Sequence, residues 1–289
     1  MTAPDDLPDS PPTLHVPPGH HYSPIPAASD IRRAPAIDGP ATPQIPGVEL
    51  HETEQWELLG RLLPNYPEIA DWLASDAPTR FTLDNTWFTG ADAVCTALMI
   101  QRLQPARIVE VGCGYSSALL LDVAEQFLPE PPRFTFIEPD ATRLRSLVSP
   151  PELAHRLRES QVQDVELAVF TSLADGDVLT IDSSHVLKAG SDVHYLMLEV
   201  LPRLAPGVWI HIHDIFHPFE YPAHWLAEGV ALNEAYALRA LLQSNSRVRI
   251  ALWNHYLMRF HHEWFAAHMP LCLSAPFVTG GIWLRVLDS

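Results

Sequence analysis

Apolar and polar positions follow two different rhythms along this chain. From residue 105 onward, short runs dense in β-branched and aromatic residues recur between longer runs with helical spacing. Ile108, Val109 and Val111 belong to the first short run; 134–139 is the second and 160–165 a weaker third. Four more, at 177–182, 208–214, 248–253 and 280–286, complete a set of seven. Runs this short and apolar are predicted to be strands buried on both faces. Between them, 118–127, 193–204 and about 222–243 carry apolar residues three and four positions apart, which predicts helices. Such alternation gives an α/β fold: a doubly wound, Rossmann-like, seven-stranded and mostly parallel sheet with helices on both faces. The Gly280-Gly281 turn into the last strand predicts a terminal antiparallel insertion.

Upstream of residue 105 the rhythm is helical and then disappears. Trp56, Leu59, Leu62 and Leu63 fall on one face of a helix with Thr53 as its N-cap, and a second short helix covers 67–73. Residues 81–88 are irregular and aromatic. A helix over 89–103 carries Ala93, Ala97 and Ile100 on one stripe, with Asp92 near its start, and Pro105 ends it. Residues 49–104 therefore read as cap helices beside the sheet domain of 105–289. Residues 1–48 hold a disproportionate share of the 28 prolines. Within them, His20 to Pro26 supply aromatic and apolar anchors that a linker does not need. They predict an extended arm that roofs a pocket, its own or that of a second copy in a homo-oligomer.

Composition narrows the class. An apolar content of 47% suffices for a large core, and no apolar run approaches the length that spans a bilayer. The absence of a basic-then-apolar leader, and an odd number of cysteines (three) with no C-x-x-C spacing, predict reduced thiols in a cytoplasm. A net charge of −17 repels polyanions, so nucleic acid is not expected as a partner and small molecules remain.

The stretch from Arg107 to Ser117 concentrates the candidate chemistry. A strand runs into Gly112-Cys113-Gly114, and Ser116 and Ser117 are good N-caps for the helix that follows. This geometry brings backbone N–H groups and a helix dipole to a ligand, and the glycines allow close approach. Ser117 replaces the third glycine of a dinucleotide fingerprint, and the acid Glu110 inside the strand suits an ammonium group. Glu110-x-Gly112-x-Gly114 resembles the first motif of class I S-adenosylmethionine (SAM) methyltransferases. The segments from Ile181 to Lys188, Gly190 to Val193, His213 to Phe216 and Phe219 to Pro222 look like a bacterial small-molecule subgroup of that family. The resemblance covers most of the chain. It implies that Glu110, Gly112, Gly114 and Ser116 hold the methionine end of SAM.

Ligands of open α/β sheets lie beyond the C-terminal strand ends. Strand two ends in Glu138, a two-oxygen acceptor suited to ribose hydroxyls in SAM and NAD enzymes alike. Strand three delivers Asp164 toward an adenine amine. Strands four and five end in Asp182, with His185 close behind, and in His213-Asp214. As neighbours in the sheet they would set Asp182 and Asp214 face to face, with Asp182 also bordering the cofactor. Such a group can serve as an acid/base pair, in which His185 with Asp182 and Asp214 deprotonates the acceptor, or as a divalent metal site of Asp182, His213 and Asp214. Catechol-type methyltransferases resemble this in their two aspartates; Ile215 departs from them where a polar ligand would stand, and imidazoles favour a softer cation. Phe216 to Pro222 is a natural substrate wall. His211 shares one side of its strand with His213 and reads as a buried, satisfied histidine or a functional one; His224, His255, His261, His262 and His268 read as helix and loop decoration. The expected activity is SAM-dependent methyl transfer to a small molecule. The alternative is a metal-dependent, non-methylating enzyme on the same fold, in the manner of cephalosporin-hydroxylase-like proteins.

Overall fold

The computed structural model describes residues 14–37, 39–75 and 80–288. Among them, seven strands form one sheet in the order β3-β2-β1-β4-β5-β7-β6. They are β1 Arg107–Val111, β2 Arg133–Ile137, β3 Leu157–Arg158, β4 Val178–Ile181, β5 Trp209–His213, β6 Val248–Trp253 and β7 Gly281–Val286. β7 runs antiparallel between β5 and β6, and the pairs β3-β2, β2-β1, β1-β4 and β4-β5 are parallel. Every residue of β4 and the last four of β1 are buried, which is why these segments read as predominantly apolar runs, with Glu110 and Thr180 the exceptions.

Helices cover both faces. In chain order those that matter here are α1 Glu52–Leu62, α2 Tyr66–Leu73, α3 Ala91–Leu103, α4 Tyr115–Phe127, α5 Thr142–Leu147, α6 Asp192–Tyr195, α7 Ala223–Ala227, α8 Glu234–Leu242, α9 Asn254–Phe260 and α10 His262–His268. α3 is buried from Ala91 to Ile100, so the cap helices are part of the core and not a separate lid. α1 begins at Glu52, not behind a Thr53 cap, and buries Gln55, Leu58, Leu59 and Leu62. Trp56 instead packs edge-on against Trp264 at 5.0 Å.

Three further elements differ from the sequence reading. The third strand is Leu157–Arg158, not 160–165, because Leu157 and Arg158 are the residues in register with Phe136 and Ile137. Residues Val162–Asp164 form a 3-10 turn that buries Val162 and exposes Asp164. The single helix expected over 222–243 is two. Gly229, at φ 85°, follows α7, and α8 starts only at Glu234. Asn233 fixes that start by bonding the backbone of Leu187 through both side-chain atoms. The helix over 193–204 is a broken run as well, passing from α6 through a wide turn at Leu196–Val200.

The described part of the arm does not roof the cavity at the strand ends. Pro24, Pro26, Ile31 and Ala34 instead line a separate cavity of about 210 Å³ together with Leu226, Leu232 and Tyr236. The Arg259 side chain binds the carbonyls of Ala36 and Gly39 and the His217 ring that of Pro43, which pins this part of the arm to α9 and to the loop after β5. Residues 1–13 of the expected arm lie outside the described residues.

Candidate active site

Two cavities meet at the C-terminal ends of β1, β2, β4 and β5. One of about 560 Å³ runs along Glu138, Gln161, Gln163, Ser184 and Asp192. The other, about 460 Å³, is bounded by Trp87, Phe88, Asp92, Tyr115, His185, His213, Asp214 and Trp225. They share Gly112, Glu138, Arg143, Asp182 and Ser183, so together they form one cleft of the size that small ligands occupy.

The glycine turn is shaped by its neighbours. Gly112 has φ 81°, and a Cβ there would stand 1.8 Å from the carbonyl oxygen of Asp182. A glycine is thus what allows β1 and β4 to close on each other just below the cleft. Glu138 accepts the backbone N–H groups of Cys113 and Asp140 at 3.0 and 2.9 Å, which ties the end of β2 to the turn and holds its carboxylate at the cleft. α4 begins directly after Gly114, one residue before the serines expected to cap it. Ser117 lies inside the helix; its hydroxyl accepts the Gly114 N–H and donates to Glu110.

Glu110, expected at the methionine end, does not reach the cleft wall. It is 1% exposed, lines neither cavity, and sits under the turn bonded to Ser117. Burial pushes its carboxyl up to about 8, so at neutral pH it is mostly an uncharged acid holding the turn from behind. Asp164 also lines neither cavity, since the 3-10 turn points it to solvent; Gln163 beside it takes the place on the wall. Gly112, Gly114, Ser116 and Glu138 do line the cleft.

The ends of β4 and β5 bring four predicted residues together. His185 Nε2 is 3.3 Å from Asp182 and 3.9 Å from Asp214; His213 Nδ1 is 3.3 Å from Asp182 and 3.7 Å from Asp214. His185 and Asp214 both adopt left-handed backbone, at φ 56° and 55°, a strained conformation that concentrates at functional sites. Burial works against the charge on Asp182, but the His213 and His185 rings outweigh it and hold its carboxyl well below the usual range. Burial likewise pulls His185 down, but its bonds to Asp182 and Glu234 prevail and raise it to about 10. His213 is raised against the same burial by Asp214 and Asp182. Asp214 is raised chiefly by burial, against the pull of both rings.

Three participants escaped the sequence reading. Glu234, fully buried at the start of α8, meets His185 Nδ1 at 2.8 Å. Asp92, in the first turn of α3, meets His213 Nε2 at 3.2 Å and takes a hydrogen bond from Asn254 at 2.7 Å. Asn254 also receives the N–H of Gly281, which joins β7 to the same network. In the sequence Asp92 reads as a helix-start acid and Glu234 lies inside an apolar helical run, where its charge is the available signal.

The other histidines are structural where they are buried. His211 lies between Phe88 and Trp283, and burial lowers it to about 4. His217 and His255 are lowered by burial to about 4 and 3, and His255 Nδ1 accepts the backbone N–H of His217. Neither is surface decoration. The Phe216–Pro222 loop contributes no residue to the cleft; Trp225, Val230, Leu232, Phe277 and Val278 make that wall.

Residues 109–215 match a family described as a methyltransferase domain. An uncharacterized protein of Archaeoglobus fulgidus is 30% identical over 170 residues, covering 55% of this chain and 74% of that protein. The O-methyltransferase TomG from Streptomyces achromogenes, solved with SAM, is 16% identical over 83% of this chain and 92% of its own, with a TM-score of 0.43. The Podospora anserina methyltransferase PaMTH1, solved with SAH, is 14% identical over 86% of this chain and 100% of its own, with a TM-score of 0.46. No helix among the described residues is long and apolar enough to cross a membrane.

Proposed function

The chain belongs to the class I methyltransferase family, and on that premise we propose that it transfers a methyl group from SAM to an oxygen, nitrogen or carbon nucleophile of a small molecule. The observation that carries this reading is the continuity of the two cavities across Gly112 and Asp182. A donor lying on the glycine turn has its ribose at Glu138, whose two oxygens can take both hydroxyls. Its sulfonium then faces the cluster of Asp182, His185, His213 and Asp214. The acceptor enters from the side of Trp87, Trp225 and Phe277, an apolar rim suited to a compact organic molecule.

Transfer of this kind needs in-line positioning and a destination for the acceptor's proton. Without a cation, the flanking acids keep His185 protonated at neutral pH. Its part is then to hold an ionised acceptor by charge, and the base for an acceptor that arrives protonated is Asp214, whose carboxyl burial raises. Calorimetric titration with SAM and SAH, followed by SAH release across a panel of small hydroxyl and amine acceptors, tests the reading. Absence of binding by either nucleoside overturns it.

A second reading is favoured by the same cluster. Asp182, His185 and His213 offer ligand atoms within 4.8 Å of one another, a set fit to hold a divalent cation. A cation there supplies Lewis acidity that lowers the acceptor's pKa, and it also suits non-methyl chemistry on this fold. Activity that survives a chelator unchanged removes this reading and leaves the first.

A further inference from the structure

Each imidazole at the site is backed by its own buried acid. His185 turns Nδ1 to Glu234 at 2.8 Å, and His213 turns Nε2 to Asp92 at 3.2 Å. Glu234 is 0% exposed and Asp92 3%. The remaining ring nitrogens, His185 Nε2 and His213 Nδ1, both come to 3.3 Å from one atom, Asp182 Oδ1. A ring that gives one N–H to a carboxylate presents its other nitrogen as a fixed and more basic donor, which is how metal-binding histidines are commonly built.

A hydrogen bond from each ring to Asp182 needs no second acid behind it, and burying a carboxylate is costly. Glu234 even leaves Oε1 without a hydrogen-bond partner. The two spacings from the rings to Asp182, 3.3 Å each, agree with an ion as well, and all three ligand atoms lie within 4.8 Å of one another. Donors about 2.0–2.2 Å from a common first-row cation stand roughly 3.0–3.5 Å apart. Two imidazole nitrogens and one carboxylate oxygen suit manganese, iron, cobalt or zinc, whereas magnesium asks for oxygen ligands and several waters.

We propose that Asp182, His185 and His213 form a transition-metal site whose two imidazole nitrogens select against magnesium, with Asp92 and Glu234 as positioning acids outside the coordination sphere. This rests on the second reading for what the ion does, but binding of the ion is measurable apart from any reaction.

Untagged protein stripped with a chelator is dialysed against Mn²⁺, Co²⁺, Zn²⁺ or Mg²⁺ and its metal content counted, with visible absorption of the Co²⁺ form as a report of nitrogen ligation. One equivalent of Co²⁺ or Zn²⁺ per chain is expected, with no Mg²⁺ retained at the same concentration. Asp182→Asn should abolish binding. Glu234→Gln and Asp92→Asn should each weaken it by about 10–100-fold, with SAM affinity on the same samples unchanged. No stoichiometric metal in the parent protein, or unaltered metal affinity in both outer variants, overturns the proposal. If Glu234→Gln does not fold, the parent protein and Asp92→Asn decide. SAM bound without metal removes the site and leaves methyl transfer; metal bound without SAM does the reverse.

Discussion

The two halves of the cleft are built by opposite means. The half at β1 and β2 is made of backbone: a glycine turn, amides drawn to Glu138, and an acid buried beneath the turn at Glu110. Its residues lie within one strand–helix–strand unit. The half at β4 and β5 is made of side chains, and Asp92, Asp182, His185, His213, Glu234 and Asn254 reach it from five segments, Asp182 and His185 sharing the stretch after β4. A half built on backbone fails when the main chain is forced to move, and it leans on one side chain, Glu138, that ties the turn to β2. A side-chain half keeps its shape under conservative change and loses its chemistry, because each charge there is set by the next.

The sharpest way to break the comparison is Asp182→Asn, at one of the residues both cavities share. Turnover is expected to fall by about 10²–10⁴-fold, with SAM affinity falling less than about tenfold; an equal loss in both would mean that Asp182 belongs to the cofactor half. Gly112→Ala addresses the opposite side. Its Cβ meets the Asp182 carbonyl at 1.8 Å and its φ is 81°, so β1 and β4 must part. SAM affinity should fall by roughly two decades or more, about 2.7 kcal/mol, with a clear drop in Tm. Normal SAM binding in this variant would show that the turn can relax.

Glu138→Ala comes next. Losing charge-assisted bonds to two ribose hydroxyls should weaken SAM by about one to three decades. Tm should fall slightly, since two backbone amides lose their acceptor. Unaltered affinity would remove Glu138 from the cofactor half.

A smaller effect is expected from pH on the chelated protein. His185 is raised to about 10 in the fold from an ordinary 6.5, so the stability its pairing contributes is full below about pH 6.5 and is lost as pH rises through about 10. Tm should decline by a few degrees between pH 7 and 10, and the decline should flatten in His185→Asn. An equal slope in both proteins would place the titration elsewhere. The smallest effect belongs to the arm. Deleting residues 1–30 removes Pro24 and Pro26 from the cavity they line with Leu232 while leaving the cleft lining intact. SAM affinity should hold within about threefold and acceptor KM should rise several-fold, read by calorimetry and steady-state kinetics; loss of SAM binding would make the arm part of the cofactor half.

The sequence by itself determined the antiparallel last strand, the glycine turn, the four residues at the ends of β4 and β5 and, apart from its third strand, the sheet. All of these are local: a buried strand must be an apolar run, a strand end lies next to its run, and neighbours in a doubly wound sheet follow from chain order. What the tertiary structure decided is what those residues face. Glu110 looked like a ligand acid because its spacing from the glycines is local, yet its surroundings are the underside of the turn, where burial keeps it protonated. The break after α7 depended on Asn233 gripping Leu187, 46 positions away. The pairs His185–Glu234 and His213–Asp92 join residues 49 and 121 positions apart. No periodicity carries information over such separations, because only chain folding brings the two acids behind the two rings, and the protonation of each group is then fixed by a neighbour that the sequence does not place beside it.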